Sequence, residues 1–117
     1  KAMMPDALLI YFEFDDARFK PDPQTDSRIA EFRAWLGKYP GSIVLEQGFT
    51  DLVGTPEFNI DLGMKRAEAV ALYVEEKGIP VGSIIKESLG ESRAYEGYIT
   101  KEGRAKNRKT EISIKLP

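Results

Sequence analysis

Short β-rich runs alternate with two longer stretches of helical period, and Pro or Gly stands at nearly every boundary between them. Residues 8–14 are β-rich, apolar or aromatic except for Glu13, and close at Asp15-Asp16, which predicts a strand followed by a turn. After Pro21-Asp22-Pro23, Thr25 or Asp26 is placed to cap a helix. That helix is expected over 27–39, because Ile29, Phe32, Leu36 and Tyr39 recur at helical spacing with Trp35 at the stripe's edge. Pro40-Gly41 stops it. A strand over 43–47 ends at Gly48, and a loop over 49–58 carries Gly54, Thr55 and Pro56. Asn59 is expected to cap a second helix that runs to Lys77, where Gly78 and then Pro80 end it. A third strand over 84–89 meets Gly90. Residues 92–108 read as a long polar loop with one helical turn around 102–106, and 110–116 alternates polar and apolar as a half-exposed strand does. The order β-α-β-α-β-loop-β predicts an α+β fold, with two long helices packed on one face of a mixed four-stranded sheet.

Composition narrows the chemistry. The chain has no Cys and no His. That excludes disulfides, thiolate nucleophiles, the usual zinc ligands and the Ser–His–Asp triad, so neither an enzyme nor a metal or other cofactor site is expected. A net charge of −2 does not suit general binding of nucleic acid, and the basic stretch 101–109 lacks interleaved aromatics. Gly37-Lys38 lacks the spacing of a phosphate loop, and Asp15-Asp16 is better read as a turn than as an acid–base pair. The apolar run 7–12 is far short of the ~20 residues that cross a bilayer.

One residue breaks the pattern of the second helix. At about 100° per residue, Leu62, Ala69, Val70, Tyr73 and Val74 share the expected core face, and Arg66 falls among them. A guanidinium turned toward apolar neighbours keeps its charge and needs acceptors. The loop before the helix offers Asp51. Two readings follow from spacing alone. Asp51 and Arg66 form a structural ion pair, or they form a receptor for a zwitterion, with Asp51 taking an ammonium and Arg66 a carboxylate.

The residues then carry a family resemblance. Gly48-Phe49-Thr50-Asp51, Gly54, Asn59, Leu62, Arg66-Ala67 and Val70 resemble the signature of the outer membrane protein A C-terminal domain family. Gly90-Glu91 and Gly103-Arg104-Ala105, with Asn107-Arg108, fit its later motif, and the similarity runs from Phe12-Glu13-Phe14-Asp15 to the last strand. The resemblance implies non-covalent binding of peptidoglycan in the periplasm of a Gram-negative-type bacterium, through the diaminopimelate of the stem peptide. It implies that Asp51 holds the amine and Arg66 the carboxylate. Asn59, Thr50, Leu62 and Arg108 are the accompanying candidates, and each also has a structural reading: cap, loop brace, core residue and exposed loop. Asn107 resembles a family position beside the pocket as well. The whole chain, 1–117, is expected to be one such domain of a larger envelope protein, without membrane insertion of its own and with other envelope proteins as possible partners.

Three positions depart from the family pattern. Phe49 replaces a His, Gly63 a Ser and Lys109 an Arg. These departures favour the rival reading, a periplasmic interaction or signalling domain that keeps the fold but has lost wall binding.

Overall fold

The computed structural model describes residues 3–94 and 100–117, so the middle of the predicted loop, 95–99, lies outside the described residues. Among the described residues there are four strands, β1 (Leu8–Tyr11), β2 (Ile43–Phe49), β3 (Ile84–Gly90) and β4 (Lys109–Lys115). Three α-helices accompany them, α1 (Pro23–Lys38), α2 (Pro56–Glu76) and α3 (Lys101–Asn107), with a single 3-10 turn at Val81–Ser83. The sheet order is β1-β4-β2-β3. β4 is antiparallel to both β1 and β2, while β2 and β3 are parallel. A parallel pair needs a crossover, and α2 is that crossover. The predicted α+β class and mixed sheet hold.

The helices pack on one face. Ile29 and Phe32 of α1 and Val70 and Val74 of α2 close over Ile10, Val44 and Ile112 of the sheet, joined by Phe12 and Ile79. On the opposite sheet face Leu9 and Tyr11 stand exposed. This agrees with the alternation read along the last strand.

Element boundaries differ from the sequence expectation wherever a proline opens a helix. α1 begins at Pro23 and is capped by Asp22, whose carboxylate accepts from the Thr25 amide at 2.8 Å; neither Thr25 nor Asp26 is the cap. α2 begins at Pro56, capped by the Thr55 hydroxyl, so Asn59 lies inside the helix instead of at its start. Proline lacks the N–H that a first helical position leaves unbonded, so it fits there without loss. β1 stops at Tyr11, before Phe14, because the chain bends into a turn in which Asp15 takes φ 52°. Asp tolerates that left-handed geometry better than most side chains.

The buried face of α2 is centred on Gly63, Arg66, Ala67, Val70, Ala71 and Val74, while Ala69 and Tyr73 are only half-buried. The rotation has a local cause. Gly63 rests directly on Gly48 of β2: a Cβ on Gly48 would overlap the Gly63 carbonyl oxygen. A Cβ on Gly63 would collide with the Ser88 hydroxyl and come within 3.0 Å of the Gly48 carbonyl oxygen. Two glycines let the helix touch the strand backbone to backbone. Arg66, less than one turn further on, is thereby set against the end of β2.

Candidate functional site

Three segments meet at this end of the sheet: the turn after β1, the loop between β2 and α2, and the residues that open β4. Arg66 ties the first two together. It is 0% exposed, the largest side chain so completely buried. Its Nη1 donates to the carbonyl of Phe49 at 2.9 Å, its Nε to that of Asp16 at 2.9 Å and its Nη2 to that of Glu13 at 3.1 Å. The Phe12 ring lies 5.4 Å from the guanidinium carbon. Burial lowers the Arg66 pKa to about 10, against the opposing pull of Asp51. The group therefore stays cationic at neutral pH. Three carbonyl oxygens replace the water it has lost, as a buried charge requires.

Asp51 is not ion-paired to Arg66. Its Oδ2 faces Arg108 Nη1 at 3.4 Å, and its Oδ1 accepts the Val53 amide at 3.0 Å. This replaces the structural clasp considered from sequence, and both groups are buried: Asp51 is 4% exposed and Arg66 not at all. Arg108 spans the gap, because its Nε also donates to the Phe12 carbonyl at 3.0 Å. Two guanidinium groups thus hold the same turn by its backbone. A carboxylate offers about four lone-pair positions, and the protein uses two of those on Asp51.

The remaining candidates take defined places. The Thr50 hydroxyl donates to the Asp51 carbonyl at 2.9 Å, and the Thr50 amide bonds the Gly90 carbonyl at 2.8 Å. Thr50 is a brace for the loop and does not line the cavity. Asn59 donates its side-chain amide to the Asp51 carbonyl at 3.3 Å and to Glu91 at 2.8 Å, stitching α2 to the chain after β3. Asn107, buried, donates back to the Gly103 carbonyl at 3.1 Å within α3.

A cavity of about 130 Å³ opens between these groups. Five of the six candidates line it: Asp51, Asn59, Leu62, Arg66 and Arg108. Phe14, Asp15 and Phe58 also line it and were not singled out from sequence. The stretch Phe12-Glu13-Phe14-Asp15, already part of the family resemblance, was the signal that could have found the first two. A liquid water occupies about 30 Å³, so the cavity has room for one small polar head group. It presents two fixed cations, two carboxylates and exposed aromatic edges, Phe14 at 58% and Phe58 at 50% exposure. Such a set suits a zwitterion on an aliphatic stem.

The family model of the OmpA family matches residues 11–108, and the chain belongs to that family. Among its relatives is outer membrane porin F of Pseudomonas aeruginosa, 35% identical over 107 residues, covering 90% of this chain and 30% of that protein. The peptidoglycan-associated lipoprotein of Pasteurella multocida is 36% identical over 84 residues, covering 72% of this chain and 55% of that one. The chain therefore spans between about a third and about half of these curated relatives. The crystal structure of the peptidoglycan-associated lipoprotein from Burkholderia pseudomallei superposes with a TM-score of 0.80 at 29% identity, covering 92% of this chain and 89% of that one. The OmpA-like domain of FopA1 from Francisella tularensis gives 0.74 at 25% identity, covering 95% and 72%.

Proposed function

We propose that this domain binds peptidoglycan non-covalently through the diaminopimelate of the stem peptide and so anchors a larger envelope protein to the cell wall. The observation that carries the reading is Asp51, a carboxylate with unused acceptor capacity beside one buried and one half-buried guanidinium in one small cavity. Diaminopimelate ends in an ammonium and a carboxylate on one carbon. The ammonium goes to Asp51 and the carboxylate toward Arg66 and Arg108, which both line the cavity. Phe14, Phe58 and Leu62 receive the aliphatic stem. Binding proceeds without turnover and without metal, because charges already on the ligand supply recognition. The relatives' names, peptidoglycan-associated lipoprotein and outer membrane porin, support a periplasmic place for the domain. Among the described residues no helix is long and apolar enough to cross a membrane, in keeping with a module carried by another part of its protein.

The three departures weigh little against this reading. None of them lines the cavity. Phe49 packs under Lys109 and Arg93, whose cationic heads lie 5.1 and 5.8 Å from its ring. Gly63 faces Gly48. The rival interaction domain thus loses its main support.

The test is a titration with two stem peptides, one containing diaminopimelate and one containing lysine, joined to cosedimentation with purified sacculi. The lysine peptide keeps a side-chain ammonium but lacks the adjoining carboxylate, so it is expected to bind at least about tenfold more weakly. Equal binding of the two peptides, or no cosedimentation, overturns the proposal.

A further inference from the structure

The cavity around Asp51 has a wider neighbour. Between the end of β1 and α3 lies a second hollow of about 380 Å³, lined by Tyr11, Phe12, Glu13, Ala105, Lys106 and Arg108. Its volume falls in the range of small-molecule sites. Arg108 borders both cavities. Its Nε is bonded to the Phe12 carbonyl and its Nη1 to Asp51, while Nη2 has no partner among the described residues. A guanidinium carries five N–H donors, so this one still has donors to offer.

We propose that the second hollow is a further subsite of the same ligand, in which Lys106 and the free Nη2 of Arg108 hold another carboxylate of the stem peptide while its aliphatic part lies over Tyr11. The inference rests on the diaminopimelate reading of the first cavity and extends it along the peptide. Charge chooses the ligand class. Two cations border the hollow against one carboxylate, Glu13, so it attracts an anion over a neutral sugar, which has no charge to set against Lys106. The hollow also has an apolar floor. Tyr11 is 54% exposed on an edge strand, an aromatic surface left uncovered next to charged groups. Finally, the shared Arg108 joins the two cavities, so a ligand whose zwitterionic end meets Asp51 can run past it and place a carboxylate further along its chain in the hollow. The residue that precedes diaminopimelate in a stem peptide, a glutamate linked through its γ-carboxyl, presents a free α-carboxylate of this kind.

The experiment titrates the domain with free diaminopimelate, with the tripeptide alanyl-γ-glutamyl-diaminopimelate, and with the same tripeptide amidated at the glutamyl α-carboxylate. Wild type and Lys106→Gln are compared, with a melting curve to establish that the variant is folded; Lys106 is exposed and no fold defect is expected. The acid tripeptide should bind wild type about fivefold more tightly than free diaminopimelate does, the gain of one partly exposed ion pair. Lys106→Gln should abolish that fivefold gain and leave free diaminopimelate unaffected. Amidation should do the same on wild type and add nothing further on Lys106→Gln. If amidation costs wild type nothing, or if Lys106→Gln weakens both probes equally, the subsite is wrong while the first cavity stands. If free diaminopimelate itself fails to bind wild type, the reading of the first cavity fails and the subsite falls with it.

Discussion

Arg66 and Glu46 are both 0% exposed, one on α2 and one on the neighbouring strand β2, yet their surroundings are opposite. Arg66 gives hydrogen bonds to three carbonyls. Among the described residues neither carboxyl oxygen of Glu46 has a partner, and the buried Thr110 hydroxyl, one step diagonal across the β2–β4 register, has none either. Burial acts on both in the same sense, against the charged form. It lowers Arg66 to about 10 and leaves it a cation, but raises Glu46 from 4.5 to about 8 and makes it neutral at pH 7. A buried charge survives where backbone acceptors converge, and that happens at the site end of the sheet. In the middle of the sheet, where strand N–H groups are already committed to the ladder, no donor among the described residues reaches the carboxyl and it gives its charge up.

The largest expected effect removes the partnered charge. Arg66→Leu keeps bulk but leaves the carbonyls of Glu13, Asp16 and Phe49 without their donor, and should cost about 3–5 kcal/mol in urea unfolding. A loss under about 1 kcal/mol would mean that these carbonyls are readily rehydrated and that Arg66 is not the hub of this end.

The unpartnered carboxyl should give an effect of similar size with a particular pH dependence. Its pKa is raised on folding, so the folded chain holds a proton that the unfolded chain releases between about pH 4.5 and 8. Stability from this group is therefore fully present below about 4.5, falls as pH rises toward 8, and is level beyond, a span of about 3–5 kcal/mol. Glu46→Gln should flatten that segment of the stability–pH curve and leave the variant more stable than wild type at pH 8. Half-buried Asp16 works in the other direction. Its hydrogen bonds and charge contact with Arg18 hold its pKa near 2, so its contribution is lost as pH falls below about 4. A wild-type curve level from pH 5 to 8 would show that Glu46 is charged and bonded after all.

A smaller effect tests how Arg66 is seated. In an open helix Gly63→Ala would gain about 1 kcal/mol. Here the added Cβ meets the Ser88 hydroxyl and presses α2 away from Gly48, so we expect a loss of about 1–2 kcal/mol by thermal unfolding. A gain would mean that the two backbones are not in contact.

Much of this architecture was legible in the residues. Pro40-Gly41 and Gly78 marked the helix ends, and the alternation over 110–116 marked a half-covered strand. The helical wheel placed Arg66 on the core side. The helix starts were less legible, since Asp22-Pro23 and Thr55-Pro56 look like loop punctuation until proline is placed at the first helical position. The partners of Arg66 were not legible at all. Its acceptors are backbone carbonyls, which no side-chain pattern advertises, and two of them lie about fifty residues away in sequence. Asp51 was found by spacing, but its ion pair with Arg108, 57 residues on, depends on how β4 runs beside β2.

The central claim is that Asp51 faces a receptor and is not merely one half of a clasp. Asp51→Asn tests it most directly, by a melting curve beside a titration with the diaminopimelate tripeptide. Asparagine keeps an acceptor for the Val53 amide and removes only the charge. Stability should fall by about 1 kcal/mol or less, a melting shift within about 5 °C. Affinity should fall at least about tenfold, because the ligand's ammonium loses its counter-charge. Wild-type affinity in the folded Asp51→Asn protein would contradict the account, and so would a collapse of the fold at 25 °C.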